Sequence, residues 1–237
     1  KLSNYHNGGY IMRDQLQTKE YFTQFILESQ NRFHNADSKI QSLLEGEKVQ
    51  GNLSILRHTA FQSRFETLLA KYSRGDDISE IKENYLLGIS SFENKYTSGN
   101  YSNYLQYIAL STLLNVDNAS KIRLKKVLQD NGTNDALYNF LLFGKFEGRN
   151  WKFIEKYKNI IEADAEDRVQ LVKKLLSKWY VSNKSAYWYD FHKYTDRHLY
   201  FGYWALEVAA LVKVLNIPDA SFKDNKYYPY DLVHFGG

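Results

Sequence analysis

The run LSILRHTAFQSRFETLLAKYSRG, residues 53–75, decides the fold. Its apolar residues Leu53, Leu56, Ala60, Phe61, Phe65, Leu68, Leu69 and Tyr72 recur at three-to-four residue spacing, which lines one face of an α-helix and does not suit a strand. Gly75 closes the run where a helix would stop. Upstream, Phe22, Phe25, Ile26, Ser29 and Phe33, then Ile40, Leu43 and Leu44, keep the same spacing, and Gly46 and Gly51 bracket the break between the two runs. Downstream, the acidic opening Asp76-Asp77 leads into a third stripe of Ile78, Ile81, Tyr85, Ile89, Phe92 and Tyr96. Three amphipathic helices are therefore expected over residues 14 to 97.

The polar, glycine-containing segment Thr97-Ser98-Gly99-Asn100 is the expected joint, giving an N-terminal helical domain at 12–97 and a larger C-terminal helical domain at 100–237. Tyr101 to Val116 is apolar on most faces and reads as a central helix. Further helices are expected at Ser120 to Gln129, Asp135 to Phe146, Trp151 to Ile161, Glu166 to Tyr180 and His198 to Leu215. Short connections make neighbours antiparallel. The predicted fold class is all-α: antiparallel hairpins forming an N-terminal bundle packed against a C-terminal helical domain.

Composition narrows the function classes. The 237 residues are 43% hydrophobic and 24% charged, as in ordinary globular domains, and only Pro218 and Pro229 interrupt them. The absence of cysteine removes disulfides, thiol catalysis and Cys-ligated zinc. No run of about 18 apolar residues spans a membrane, so the cytoplasm is the default expectation, with no membrane partner. The net charge of +4 has its excess in the second half, but Lys and Arg alternate with Asp and Glu. That gives no concentrated nucleic-acid surface. Lys121, Arg123, Lys125 and Lys126 read as a solvated helix face and not as a phosphate-binding stripe. GxSxG, GxxxxGK[ST] and GxGxxG are all missing, which disfavours serine hydrolases, P-loop enzymes and dinucleotide enzymes.

The densest polar constellation is Tyr189-Asp190-Phe191-His192, followed by Asp196-Arg197-His198 and by Glu207 in the apolar run from Gly202 to Leu211. Asp190, His192, His198 and Glu207 are donors of the kind that bind metals, which would make a metal-dependent hydrolase, yet no HExxH or comparable spacing is present. The better-founded reading is a polar lock. A buried Glu207 needs a partner, expected to be Arg197, His198 or a Tyr hydroxyl. Two acidic groups, Asp76, Asp77, Glu80 and Glu83, and Glu162, Asp164, Glu166 and Asp167, read as helix starts whose charge offsets the helix dipole. The same residues are the candidate surfaces for docking a basic partner.

Three blocks near the C-terminus are more specific than any spacing: Tyr189-Asp190-Phe191-His192, Tyr200-Phe201-Gly202-Tyr203-Trp204-Ala205-Leu206-Glu207, and Lys223-Asp224-Asn225-Lys226-Tyr227-Tyr228-Pro229-Tyr230-Asp231-Leu232-Val233-His234. They resemble the signature of PoNi immunity proteins, most strongly over residues 187 to 234, and the segment from Met12-Arg13-Asp14 is similar too. The resemblance implies a helical protein that neutralises a PoNe-type DNase toxin passed between competing bacteria. It implies binding without turnover, no cofactor and no metal, and a cytoplasmic complex with the cognate toxin. The matching residues Tyr189, Asp190, His192, Gly202, Trp204, Glu207, Tyr228, Pro229 and Asp231 are expected to serve architecture. Nuclease inhibitors often mimic the acidity of DNA, so the net +4 is a departure that only local surface charge can reconcile. A helical adaptor with another protein partner shares the same fold expectation, and exposed Tyr and Phe leave room for a homodimer.

Overall fold

Thr18, Asn52 and Asp77 each place a side-chain oxygen on the free amides at a helix start, and these caps set where the first three helices begin. The computed structural model describes residues 11–96 and 101–237, so the joint Thr97 to Asn100 lies outside the described residues. Among the described residues there are ten α-helices and no strand, and the protein is all-α. Of these residues, 11–96 with Asp190–Gly202 form one compact unit, and 101–189 with Tyr203–Gly237 form the other.

In the first unit, α1 (Lys19–Leu44) packs on α2 (Leu53–Arg74), and α2 packs on α3 (Ile78–Lys95). The pairing of α1 and α2 is antiparallel. Arg74 donates to Thr23 Oγ1 at one end, Ser29 meets Ser63 and Thr67 in the middle, and Ala36 and Ile40 pack on Ala60 at the other. Phe22, Phe25, Phe65, Tyr85 and Phe92 are fully buried and supply most of the core. The first helix starts at Lys19 and not at residue 14, because the Asp14 carboxylate instead accepts from the Leu16 and Gln17 amides and holds a turn.

Residues 190–202 belong to this unit although they follow residues 101–189 of the other. The Tyr200 amide donates to the Tyr21 hydroxyl at 2.9 Å, the Tyr200 hydroxyl bonds Asp14, and Ser73 Oγ donates to the Phe201 carbonyl at 3.0 Å. These bonds overturn the helix expected over His198 to Leu215, which begins only at Leu206. A helix would need the Phe201 carbonyl to accept from the Ala205 amide. The carbonyl is taken by Ser73, the Ala205 amide donates to the Tyr227 carbonyl at 2.8 Å, and Gly202 sits at φ +112°.

The second unit holds α4 (Tyr101–Leu113), α5 (Asn118–Asp130), α6 (Ala136–Phe143), α7 (Glu155–Glu162), α8 (Ala165–Ser182), α9 (Leu206–Leu215) and the short α10 (Tyr230–Val233). Helix α9 is the hub, packed by α4, α6, α7, α8 and α10. Leu206 to Val212 are all buried, so the first two turns of this helix have no solvent face. The C-terminal tail docks by polar contacts. Lys213 Nζ donates to the Leu113 and Phe235 carbonyls, and Asp219 accepts from the Tyr228 hydroxyl at 2.8 Å and contacts His234 at 2.9 Å. Helix α6 stops at Phe143, three residues before the expected end, because Gly144 turns left-handed.

Gly75, at φ +98°, caps α2, and a Cβ there would lie 2.3 Å from the Ile11 carbonyl oxygen. Gly75→Ala is therefore expected to destabilise the protein by about 1–3 kcal/mol. The measurement is the urea midpoint, which should fall with little change in slope.

Candidate partner-binding site

Glu207 sits in the first turn of α9 with only 4 % of its surface exposed. Its Oε1 accepts from Trp179 Nε1 at 2.7 Å and from the Tyr157 hydroxyl at 3.2 Å. Trp179 comes from α8 and Tyr157 from α7, so one carboxylate oxygen ties three helices together. The other oxygen, Oε2, is buried and has no hydrogen-bond partner. Burial raises the Glu207 carboxyl above its ordinary value, with the Trp179 N–H partly offsetting it. The Tyr157 hydroxyl is pushed well above its ordinary value by burial and by the neighbouring carboxylate.

Glu207 closes one side of a cavity of about 320 Å³, whose other walls include Tyr101, Gln106, Phe153, Lys156 and Asn183. Phe153 is 53 % exposed and meets Tyr101 edge to face at 4.7 Å. Trp151 stacks on Phe153 at 5.8 Å, and the Arg149 guanidinium lies 3.4 Å from the Trp151 ring centroid. An aromatic row with a cation on it thus borders the pocket. Lys156 Nζ lies 5.0 Å from the Tyr157 ring, and its positive charge works with the Trp179 N–H against the effect of burial on Glu207.

The sequence reading expected Arg197, His198 or a Tyr hydroxyl against Glu207. A Tyr hydroxyl is there, from Tyr157; the stronger partner is Trp179, and its signal was an indole N–H on a buried helix stripe, which needs an acceptor. His198 instead meets Glu28 at 2.9 Å, and those two hydrogen bonds, from Gln24 and His198, bring the Glu28 carboxyl below its ordinary value despite the cost of burial. Asp190, in a left-handed conformation at φ +66°, pairs with Lys193 at 2.7 Å. The His192 and Tyr200 rings meet edge to face, with centroids 6.3 Å apart. Asp190, His192 and His198 fall in one unit and Glu207 in the other, and among the described residues no three His, Asp or Glu groups converge as metal ligands. Tyr189 stacks on Tyr180 at 4.5 Å, Trp204 and Pro229 are buried, and Asp231 is exposed in the first turn of α10. The Tyr228–Pro229 bond is trans.

The acidic groups divide. Asp76 is buried and held bidentately by Arg74 at 2.7 Å on both oxygens, and Asp77 caps α3 through the Ser79 amide. Glu80 and Glu83 are exposed. Glu162 corrects the expectation of a helix start, since it ends α7, where Lys158 lies 3.7 Å away. Asp164 flanks α8 without a side-chain cap bond, and Asp164, Glu166 and Asp167 are all exposed. The basic run is only half solvated. Lys121 and Lys125 are partly buried, burial lowers both from their ordinary value, and Lys125 bonds Asn139.

Comparisons with known proteins bear on this arrangement. The family described as "PoNe immunity protein (PoNi), N-terminal" matches residues 13–126, and that described as "PoNe immunity proteins (PoNi), C-terminal" matches residues 133–232. Among solved structures, the crystal structure of protein PA2201 from Pseudomonas aeruginosa is similar, with a TM-score of 0.71 at 17% identity, over 97% of this chain and 91% of that one. At that identity the likeness is one of fold. No curated protein sequence matches.

Because the folded protein holds the Glu207 proton more tightly than the unfolded chain does, this group's contribution to stability is fully present below its ordinary value of 4.5 and is lost as pH rises through the higher folded value. Glu207→Gln keeps an oxygen for Trp179 and removes the titration. Across a pH series of urea melts, the wild type should therefore lose stability relative to Glu207→Gln above pH 4.5, by at most about 1.4 kcal/mol per pH unit.

Proposed function

The chain belongs to the PoNe immunity protein (PoNi) family, and from that premise we propose that it binds a cognate PoNe-type DNase toxin and neutralises it by direct obstruction of the nuclease. The observation that carries this reading is the extent of the match, which runs in order through residues 13–126 and 133–232. The chemistry of the site supports it. The pocket beside Glu207 offers a carboxylate, amides and aromatic faces, which recognise a partner's side chains, and no activated nucleophile is paired with a base there. In this reading the protein is not an enzyme and needs no cofactor.

A nuclease that grips DNA presents a basic surface, since most of its affinity comes from phosphate contacts. The exposed carboxylates at the starts of α3 and α8, Glu80 and Glu83, and Asp164, Glu166 and Asp167, suit such a surface, whatever the net charge of the whole chain. Asp76 and Asp77 are less free to act because Arg74 and the α3 amides already hold them. The complex would form in the cytoplasm, where the toxin would meet its DNA. No helix among the described residues is long and apolar enough to cross a membrane.

Titrating the protein into plasmid cleavage by the nuclease encoded beside it should give protection complete near one equivalent, with co-elution on size exclusion. Cleavage that continues at a several-fold excess of the protein would contradict the reading. Charge reversal of Glu80 and Glu83, or of Asp164, Glu166 and Asp167, should slow association by about tenfold at low salt and flatten its salt dependence. Stopped-flow mixing measures both.

A further inference from the structure

An unpaired oxygen on a buried carboxylate costs free energy and is rare enough to need a reason. Glu207 Oε2 is such an atom, and open volume lies beside its side chain. Neighbouring side chains cover this oxygen without offering it a hydrogen bond, and the cavity lies along the same side chain. The cavity of about 320 Å³ has room for much more than one water, whose share of liquid volume is about 30 Å³. A carboxylate at one wall, with the aromatic rings of Tyr101, Phe153 and Tyr157 at the others, is the combination that selects a flat, delocalised cation. Lys156 lines the same space, 5.0 Å from the Tyr157 ring, and its charge favours the ionised Glu207; it is exposed enough to swing outward into water, so an arriving cation takes its place beside the carboxylate.

We propose that this pocket receives an arginine side chain of the bound toxin, with its guanidinium donating to Glu207 Oε2 and stacked on Phe153. The proposal rests on the immunity reading, because a DNA-gripping nuclease supplies exposed arginines and a cytoplasmic complex supplies the occupant. A guanidinium meets the unpaired oxygen, and its carbon plane lies against a ring that is now 53 % exposed. Contacts of this type, an Arg anchor in a desolvated pocket, dominate tight interfaces.

The test uses the full chain and its nuclease. Glu207→Gln keeps the side-chain volume and the Trp179 bond, so its melting temperature should not fall, while its affinity for the nuclease should drop by about 30-fold or more. Phe153→Ala, at an exposed site, should weaken binding by about fivefold. A nuclease affinity unchanged in Glu207→Gln overturns the proposal. A second arm titrates arginine amide into the free protein and follows tryptophan emission, since Trp179 is bonded to Glu207. Saturable millimolar binding by the wild type, lost in Glu207→Gln, is expected. No binding, or equal binding by both proteins, overturns the proposal, as does arginine amide binding combined with undiminished nuclease affinity in Glu207→Gln, which would make the site one for a small free cation. If the wild type binds no nuclease at all, the immunity reading fails by itself, and the arginine amide arm still reports on the pocket's chemistry.

Discussion

The first two turns of helix α9 have no solvent face, and the second unit is organised around that constraint. Leu206 to Val212 are buried against α4, α6, α7, α8 and α10, so each polar group on α9 must be met by its neighbours. The helix carries two charges, at opposite ends. Glu207 lies in the first turn, where a carboxylate is favoured by the helix dipole, and Lys213 lies in the last, where an ammonium is. Lys213 is fully used, donating to carbonyls at the end of α4 and at Leu232 and Phe235, and so it ties that later segment to α9. Glu207 is half used. One oxygen joins α7 and α8 to α9, and the other is buried without a hydrogen-bond partner.

That asymmetry separates structure from function within one side chain. Replacing Glu207 by an apolar residue would remove the acceptor for an indole N–H and a phenol, both buried, and strand them. A purely structural acceptor would be served as well by glutamine. Keeping an ionisable carboxyl, buried and with one oxygen unpaired, makes more physical sense where something positive arrives to pair with it. Membership in an immunity family supplies the candidate for what arrives.

The sequence carried the helices of the first unit well, because amphipathic spacing and caps are local. Asn52, Asp77 and Gly75 mark starts and stops within one turn of the residues they serve. It carried the segment from His198 to Ala205 badly, because that conformation is set by distant partners. Ser73 and Tyr21 hold the Phe201 carbonyl and the Tyr200 amide, and Tyr227 holds the Ala205 amide, none of them within helical reach. Apolar residues in an extended stretch with no alternation looked like the start of α9, and Gly202 was the one local warning. Glu207 was legible as a buried carboxylate from the apolar run around it, and a tyrosine partner was foreseen. Trp179 was not, since which indole reaches which carboxylate depends on how α8 lies against α9. The pairing of Asp76 with Arg74 was likewise hidden, although only one residue separates them, because it depends on the turn made at Gly75.

On the proposed reading, the second unit meets the toxin through the face beside Glu207. Hydrogen exchange followed by mass spectrometry, comparing the free protein with its nuclease complex, tests this without any substitution. Slowed exchange is expected in peptides covering residues 101–106 and 151–157. A complex that forms tightly yet leaves those two segments exchanging as in the free protein would contradict it.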